Sequence, residues 1–362
     1  MPDVALSASI LRSVKSGYER LVNKMWGNPI MKLRELILGL ALLGAIAFGS
    51  CLAQAQQMHL DPAKVTGPDA CGECHKTSVG EWKGSHHYST FKTLPRKKEA
   101  RKIADNLGIK RIKSGSDCLS CHFTSAMVQG KVKPIAGITC ESCHGAGKDW
   151  IKIHSDFGGK GVNAENEPAA HKAERYAKSE QAGMVRPSAL YEVAQNCYSC
   201  HSVPNEKLVN VGGHTAGSKF ELVAWSQGEV RHNVWYSKEN NPASKNRQRM
   251  MYLVGRALDL EYALRGVAKA TKKAGYAISM AKRAKKARKR IKAVAKLVNV
   301  PELMTMYKAA RAGKLKLNNE AKLIAAADAV AAQAKAIAEK YDGSSLAGLD
   351  KILPKASKYK GG

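Results

Sequence analysis

Residues 137–147 read Gly-Ile-Thr-Cys-Glu-Ser-Cys-His-Gly-Ala-Gly, and this stretch decides how the rest of the chain is interpreted. Its centre is a C-x-x-C-H motif. The chain contains this motif four times: Cys71-Gly-Glu-Cys74-His75, Cys118-Leu-Ser-Cys121-His122, Cys140-Glu-Ser-Cys143-His144 and Cys197-Tyr-Ser-Cys200-His201. Of the nine cysteines, only Cys51 lies outside the four copies, so the sequence leaves no pair for a separate disulfide or metal site.

The spacing of the motif satisfies two chemical demands at once. Two cysteines three residues apart can form thioethers with the two vinyl groups of one porphyrin, and the next residue, a histidine, can ligate its iron. Zinc sites and redox dithiols also use C-x-x-C, but neither requires a histidine directly after the second cysteine in every copy. Disulfides would leave the four histidines unexplained. The sequence therefore predicts four covalently bound haems c, with proximal iron ligands His75, His122, His144 and His201.

The first 55 residues have the features of a targeting segment. Met31-Lys-Leu-Arg34 is a charged start, residues 36–48 are almost wholly apolar, and Ala53-Gln-Ala55 fits a signal-peptidase site. We expect the true start at Met31, cleavage after Ala55, and a periplasmic or otherwise exported protein. The alternatives are an uncleaved N-terminal anchor and a lipoprotein attached at Cys51, although the residues before Cys51 match a lipobox poorly.

The composition divides the chain into three parts. Residues 1–55 form the extension and signal peptide, residues 56–240 carry the motifs and many turn-forming Gly and Pro residues, and residues 241–362 are basic and rich in Ala. In the middle part we predict helices at 97–106 and 169–181, and no segment alternates convincingly as a strand would. We predict a mainly α fold, with a turn-rich multihaem cytochrome c domain of short helices whose porphyrins supply part of the core.

The last part is predicted to form a C-terminal α-helical bundle or hairpin. The pattern indicates helices at 242–274, 276–298, 301–312 and 319–341, because apolar residues recur every three or four positions and turn residues separate the segments. Pro301 suits a first helical turn, and Gly313 suits a helix end. No catalytic constellation is found in this part.

The formal net charge of +29 predicts acidic partners. The densest basic run is Lys282–Lys292, and the simplest interpretation is a solvated helix face. The sharper interpretation is docking to acidic redox proteins, such as other cytochromes or an oxidoreductase, or association with a membrane surface. Nucleic acid is not expected, because the protein is exported and the run lacks aromatic residues for stacking.

Residues 67–202 resemble the tetrahaem cytochromes similar to cytochrome c-554, the redox partner of hydroxylamine oxidoreductase in ammonia-oxidising bacteria. The resemblance is carried by residues 71–76, by Glu81-Trp-Lys83 with His87 at the family's ligand position, and by residues 137–147 with His154 beyond them. It implies that His87 and His154 are distal iron ligands. It also implies a five-coordinate haem in the position of His122, where small nitrogen oxides could react.

The segment after the fourth motif departs from the shorter members of that family. It offers His214 and His232 as further distal ligands, and if both ligate, every iron has two histidines and no vacant site remains. His86, His171 and His59 rank below them. We therefore predict electron transfer between redox partners, in the metabolism of nitrogen compounds such as hydroxylamine or nitric oxide. The alternative is a redox enzyme acting on a small nitrogen oxide at a five-coordinate haem.

Overall fold

The computed structural model describes residues 60–114, 116–234 and 239–360, and in these ranges the chain is mainly helical, as predicted. The predicted signal peptide with its cleavage site, and His59, lie outside the described residues. Among the helices of the described ranges, none is both long enough and apolar enough to cross a membrane.

The motif-bearing half consists of short helices separated by turns. They are α1 (Pro68–Gly72), α2 (Lys76–Lys83), α3 (His86–Thr93), α4 (Lys98–Asn106), α5 (Leu119–His122), α6 (Glu141–His144), α7 (Ile151–His154), α8 (Ala169–Gln181), α9 (Leu190–His201), α10 (Glu206–Asn210) and α11 (Leu222–Ser226). A 3-10 turn, Leu94–Arg96, joins α3 to α4. Three of the motif histidines, His122, His144 and His201, are the last residues of their helices. Because residues three apart share one side of a helical turn, both cysteines of a motif can reach one porphyrin.

A β-hairpin interrupts the helices, and here the sequence analysis was wrong to expect no strands. β1 (Thr124–Val128) pairs antiparallel with β2 (Lys131–Ala136). Gln129 and Gly130 connect them with φ values of 52° and 70°, the two positive values that a type I′ turn requires. The pattern was hidden because β2 contains Pro134 and begins with three exposed residues, which leaves it little apolar alternation.

The C-terminal helices form a bundle around one central helix. They are α12 (Lys245–Lys269), α13 (Gly275–Val294), α14 (Pro301–Ala312) and α15 (Glu320–Lys340), followed by 3-10 segments Ser344–Ile352 and Ala356–Lys358. α12 packs against α9, α13 and α15, and most of its residues are buried. A helix that is covered on all sides shows little amphipathic contrast, which explains its weak periodicity in the sequence.

The core of the bundle continues into the motif-bearing half. Tyr191 and Tyr198 of α9 and Val223 of α11 are buried in the same hydrophobic cluster as α12. At Gly255 of α12, a Cβ atom would lie 2.8 Å from the Cβ of Leu222, so glycine permits the close approach of α11. The predicted boundary near residue 240 stays a prediction from composition, and the cluster runs across it.

A second, smaller cluster holds residues 92–113 against the second motif. It consists of the buried residues Ala104, Ile112 and Phe123, with Phe91, Leu94, Ala100, Ile109, Cys118 and Leu119 packed against them. Because Cys118 and Leu119 begin the second motif, this cluster fixes the preceding basic segment beside it.

Candidate haem sites

The four motifs meet in pairs through their cysteines. Cys71 hydrogen-bonds with Cys140, which brings the first motif to the third. Cys200 hydrogen-bonds with Cys121, which brings the fourth motif to the second. The third and fourth motifs meet where Asn196 Nδ2, beside Cys197, donates to the Cys143 carbonyl (2.9 Å). None of the eight described cysteines forms a disulfide.

The arrangement does not suit a zinc site. Within the described ranges, no three side chains among His, Cys, Asp and Glu converge in a way that could hold a metal ion. Burial raises the pKa of the Cys143 thiol to about 11 and also raises that of Cys118. The pKa of Cys140 is lowered, because it accepts a hydrogen bond from Cys71.

Three motif histidines each face a second histidine across a gap. Two imidazoles that bind one metal from opposite sides have ring centres about 6 Å apart, since each metal–nitrogen bond is about 2 Å and each ring centre lies about 1 Å beyond its nitrogen. The ring centres lie 6.3 Å apart in the pair His75 and His154, 6.3 Å in the pair His201 and His87, and 6.2 Å in the pair His144 and His232. The angles between the ring planes in these pairs are 23°, 42° and 87°, in the same order. The spacing in all three pairs fits an iron between the rings.

Hydrogen bonds orient several of these rings. In four histidines Nδ1 donates to a backbone carbonyl: His144 to Val185 (2.9 Å), His154 to Ile151 (2.6 Å), His214 to Thr215 (2.9 Å) and His232 to Val230 (2.8 Å). A carbonyl can only accept, so Nδ1 carries the proton and Nε2 keeps its lone pair. Metal-binding histidines are typically oriented in this way.

The remaining motif histidine, His122, has His214 as its neighbour. Burial, followed by the nearby imidazole of His214, lowers the pKa of His122 to about 4. The loop that presents His214 is fixed at two points, because the His214 amide donates to the Leu208 carbonyl (3.0 Å) and Asn106 Nδ2 donates to the Gly212 carbonyl (3.0 Å). The structure thus brings a second imidazole within 6.2–6.3 Å, between ring centres, of three motif histidines, and places His214 within electrostatic range of His122.

The other two described histidines are engaged with carboxylates. Nδ1 of His86 lies 2.6 Å from Glu229, and the His86 side chain is 80% exposed. Nδ1 of His171 lies 2.7 Å from Glu167, which also pairs with Arg175. These contacts agree with the lower rank that the sequence analysis gave to both residues.

Glu141 is a buried carboxylate that the sequence analysis did not single out. Its Oε1 accepts hydrogen bonds from Thr66 N (2.9 Å), Thr66 Oγ1 (3.1 Å) and Gly147 N (2.7 Å), and its Oε2 accepts from Gly67 N (2.9 Å). The residue is fully buried. Because every partner donates, the side chain only accepts, as an ionised carboxylate does. Glu141 therefore joins the start of α1, which carries Cys71, to the third motif.

The residues 137–138 hold the helix that carries His87. The Ile138 amide donates to the His87 carbonyl (3.0 Å), and Trp82 Nε1 donates to the Ile138 carbonyl (2.7 Å). A Cβ atom at Gly137 would lie only 2.0 Å from the His87 carbonyl oxygen. The absence of a side chain at Gly137 therefore allows this close approach of two backbones.

The C-terminal end of the described chain holds the loop that carries His232. The Lys360 amide donates to the Ala224 carbonyl (2.9 Å), and the Glu229 amide donates to the Lys360 carbonyl (2.7 Å). A Cβ atom at Gly228 would collide with the Lys360 backbone, at 1.9 Å from its oxygen. A ligand position in the motif-bearing half is thus supported by residues far away in sequence.

Repeated C-x-x-C-H segments on helical turns, with histidines facing further imidazoles in a mainly helical fold, are the features expected of a c-type cytochrome. A family model described as "Cytochrome c554 and c-prime" matches residues 70–145. The chain is also 26% identical over 175 residues to cytochrome c-554 of Nitrosomonas europaea, a match that covers 46% of this chain and 68% of that protein. These findings show that the chain is related to the cytochrome c-554 family, which implies covalently bound haem c. No solved structure matches the chain.

Proposed function

We propose that this protein is an exported tetrahaem c-type cytochrome that transfers electrons between redox partners. The two cysteines of each motif would hold one haem, and the motif histidine would be its proximal ligand. The haem irons supply the one-electron chemistry when bound. The observation that carries the proposal is the spacing of 6.2–6.3 Å between three pairs of imidazoles, which suits two axial histidines per iron.

The proposed pairs of histidines would give each haem iron two protein ligands. They are His75 with His154, His122 with His214, His144 with His232, and His201 with His87. Two histidines make a low-spin iron suited to electron transfer, whereas a missing sixth ligand makes a high-spin iron that can bind small molecules. The His122–His214 pair is the one that departs from the family resemblance, in which the second haem is five-coordinate. It favours electron transfer over the enzyme alternative.

Contacts between the motifs support an order for the four sites. These contacts connect the first motif to the third, the third to the fourth, and the fourth to the second. Short separations between successive redox centres are what a chain of electron carriers needs. In this order, the sites at His75 and His122 are the two ends.

The similarity to cytochrome c-554, the predicted signal peptide and the positive charge together support a metabolic role, a location and a class of partner. The likeness to cytochrome c-554 supports a role in the metabolism of nitrogen compounds such as hydroxylamine or nitric oxide. A predicted signal peptide supports periplasmic export. On α13, exposed lysines at 282, 285, 286, 289 and 292 support contact with acidic redox proteins or with an anionic membrane surface.

Spin-state spectroscopy of the purified protein tests the proposal. We expect electron paramagnetic resonance spectra of the ferric protein to be wholly low-spin, and the reduced protein to bind no CO. His214→Ala should convert one haem to high spin and allow about one CO to bind per protein. His171→Ala, which removes a histidine bonded to a carboxylate, is the matched control and should change neither signal.

A high-spin haem with CO binding in the unmodified protein would favour the enzyme alternative instead. If His214→Ala left the spectra unchanged, the assignment of His214 as a ligand would be wrong. If the unmodified protein carried fewer than four haems, the tetrahaem proposal itself would fail.

A further inference from the structure

Residues 92–113, called here the basic patch, concentrate positive charge directly before the second motif. The basic residues in this segment are Lys92, Arg96, Lys97, Lys98, Arg101, Lys102, Lys110, Arg111 and Lys113, against the acidic residues Glu99 and Asp105. All of the basic residues except Lys113 are exposed. The patch thus presents a large excess of positive charge to solvent.

No ion pair among the described residues neutralises these charges. Elsewhere, cations pair with carboxylates, as Arg175 does with Glu167 and Arg265 with Glu261. In the described residues, none of the ion pairs includes a basic residue of the patch. Arg96 and Arg101 donate only to backbone carbonyls, those of Lys92 and Pro95. Like charges held together without counter-charges attract an acidic partner.

The patch lies beside the second motif. The small hydrophobic cluster packs its residues against Cys118 and Leu119. Nζ of Lys113 lies 3.3 Å from the ring centre of Phe91 and 5.8 Å from that of Phe123, the residue that follows His122. A partner bound to the patch would therefore sit next to the site of the second haem.

We propose that the basic patch is the surface on which an acidic electron-transfer protein docks and exchanges electrons through the haem held by Cys118, Cys121 and His122. The inference deepens the proposed function, on which it rests, by naming one entry or exit site. It places the site at one end of the motif order, where a single partner can reach one haem. Electrostatic attraction over such a patch raises association rates at low salt and loses its effect as salt screens it.

Two variants that each reverse three positive charges test where the acidic partner docks. Lys98→Glu/Lys110→Glu/Arg111→Glu removes charge from the patch, and Lys285→Glu/Lys286→Glu/Lys289→Glu makes the same change in net charge on α13. All six positions are exposed, so both variants should fold. The probe is flavodoxin, a small acidic flavoprotein. Binding of its oxidised form to the ferric cytochrome is measured by calorimetry, so that no electron moves.

Electron transfer provides the second readout. Flavodoxin hydroquinone gives up one electron and one ferric haem becomes ferrous, which stopped-flow absorbance follows at several salt concentrations. At low ionic strength we expect the patch variant to bind about tenfold more weakly and to be reduced about tenfold more slowly, and the α13 variant to change by less than about threefold. The difference between the variants should vanish at high salt.

Equal losses in the two variants would overturn the inference, because they would report net charge alone. A larger loss of binding and of reduction rate in the α13 variant would show that the docking surface is on that helix. Binding of the unmodified protein to anionic phospholipid vesicles, lost in the patch variant while flavodoxin binding is kept, would identify the patch as a lipid surface. Both variants are compared at equal haem content, so failure of this inference is distinguishable from failure of the tetrahaem proposal.

Discussion

Replacing Glu141 tests how the first and third haem sites are joined. Glu141→Ala removes the acceptor for two buried amides, Gly67 and Gly147. A buried donor left without a partner costs about 1–3 kcal/mol, so we expect the free energy of unfolding to fall by about 2–6 kcal/mol. Thr66 is exposed and can turn to water, so it adds little. A loss of this size is a large share of the stability of a typical domain.

Glu141→Gln keeps one acceptor oxygen of the side chain and replaces the other with an amino group. The amide oxygen of Gln would take the position of Oε1, where three donors meet, and its amino group would then face the Gly67 amide. Two buried donors, the Gly67 amide and the Gln amino group, would then face each other without an acceptor, so the expected loss is about 2–6 kcal/mol, similar to that of the Ala variant. Glu73 is the matched control, because it is a glutamate inside the first motif but is exposed. Glu73→Ala should change the unfolding free energy by less than about 0.5 kcal/mol.

Guanidinium unfolding of the haem-loaded protein, followed by Soret absorbance, measures these changes. The reasoning is refuted if Glu141→Ala lies within about 1 kcal/mol of the unmodified protein, which is less than the cost of one unpaired buried donor. It is also refuted if Glu141→Gln is as stable as the unmodified protein, since both oxygens of Glu141 accept from buried amides.

Three further outcomes follow from single contacts. The guanidinium that pairs with Glu167 lowers the pKa of this carboxyl from 4.5 to about 2, so its contribution to stability is present above pH 4.5 and is lost as the pH falls towards 2. Unfolding curves of Glu167→Gln and the unmodified protein should therefore differ at neutral pH and converge near pH 2, whereas Glu174→Gln, on an exposed pair, should differ little. Gly137→Ala should push against the His87 carbonyl and raise the high-spin fraction of the fourth-motif haem, and unchanged EPR spectra would contradict this. Arg283 Nη1 donates to the Ser218 carbonyl (3.5 Å), and Ser218 Oγ lies 3.3 Å from His201 Nδ1, so the positive charge of Arg283 lies near the fourth-motif site and disfavours a ferric haem there. Arg283→Gln should therefore lower the reduction potential of the same haem by tens of millivolts in a redox titration, where about 59 mV corresponds to a tenfold change in equilibrium constant for one electron.

The sequence was most informative where chemistry fixes the spacing of residues. The four C-x-x-C-H motifs predicted the attachment sites, and the Ala-rich periodicity predicted four C-terminal helices at nearly their observed bounds, for example 301–312 for α14. The predicted mainly α class is confirmed. Periodicity succeeds in α13, α14 and α15 because one face of each helix is buried and the other is solvated, whereas the largely buried α12 shows little of this contrast.

Contacts between distant residues could not be predicted in the same way. The partner of a motif histidine depends on which loops the tertiary fold brings together, so His87 meets the fourth motif, although it lies closest in sequence to the first. The support of the His232 loop by the backbone of Lys360 depends on no side-chain pattern at all. Glu141 left one weak signal, an acidic residue directly after the first cysteine of a motif, where the other copies have Gly, Leu and Tyr.

The account depends most on covalent attachment of four haems, and the intact mass of the exported protein tests that directly. We expect the mass of residues 56–362 plus four haems, with no change in mass after treatment with iodoacetamide, because all eight cysteines would be thioethers. A protein with free thiols that react with iodoacetamide, or with bound zinc and no haem, would contradict the account.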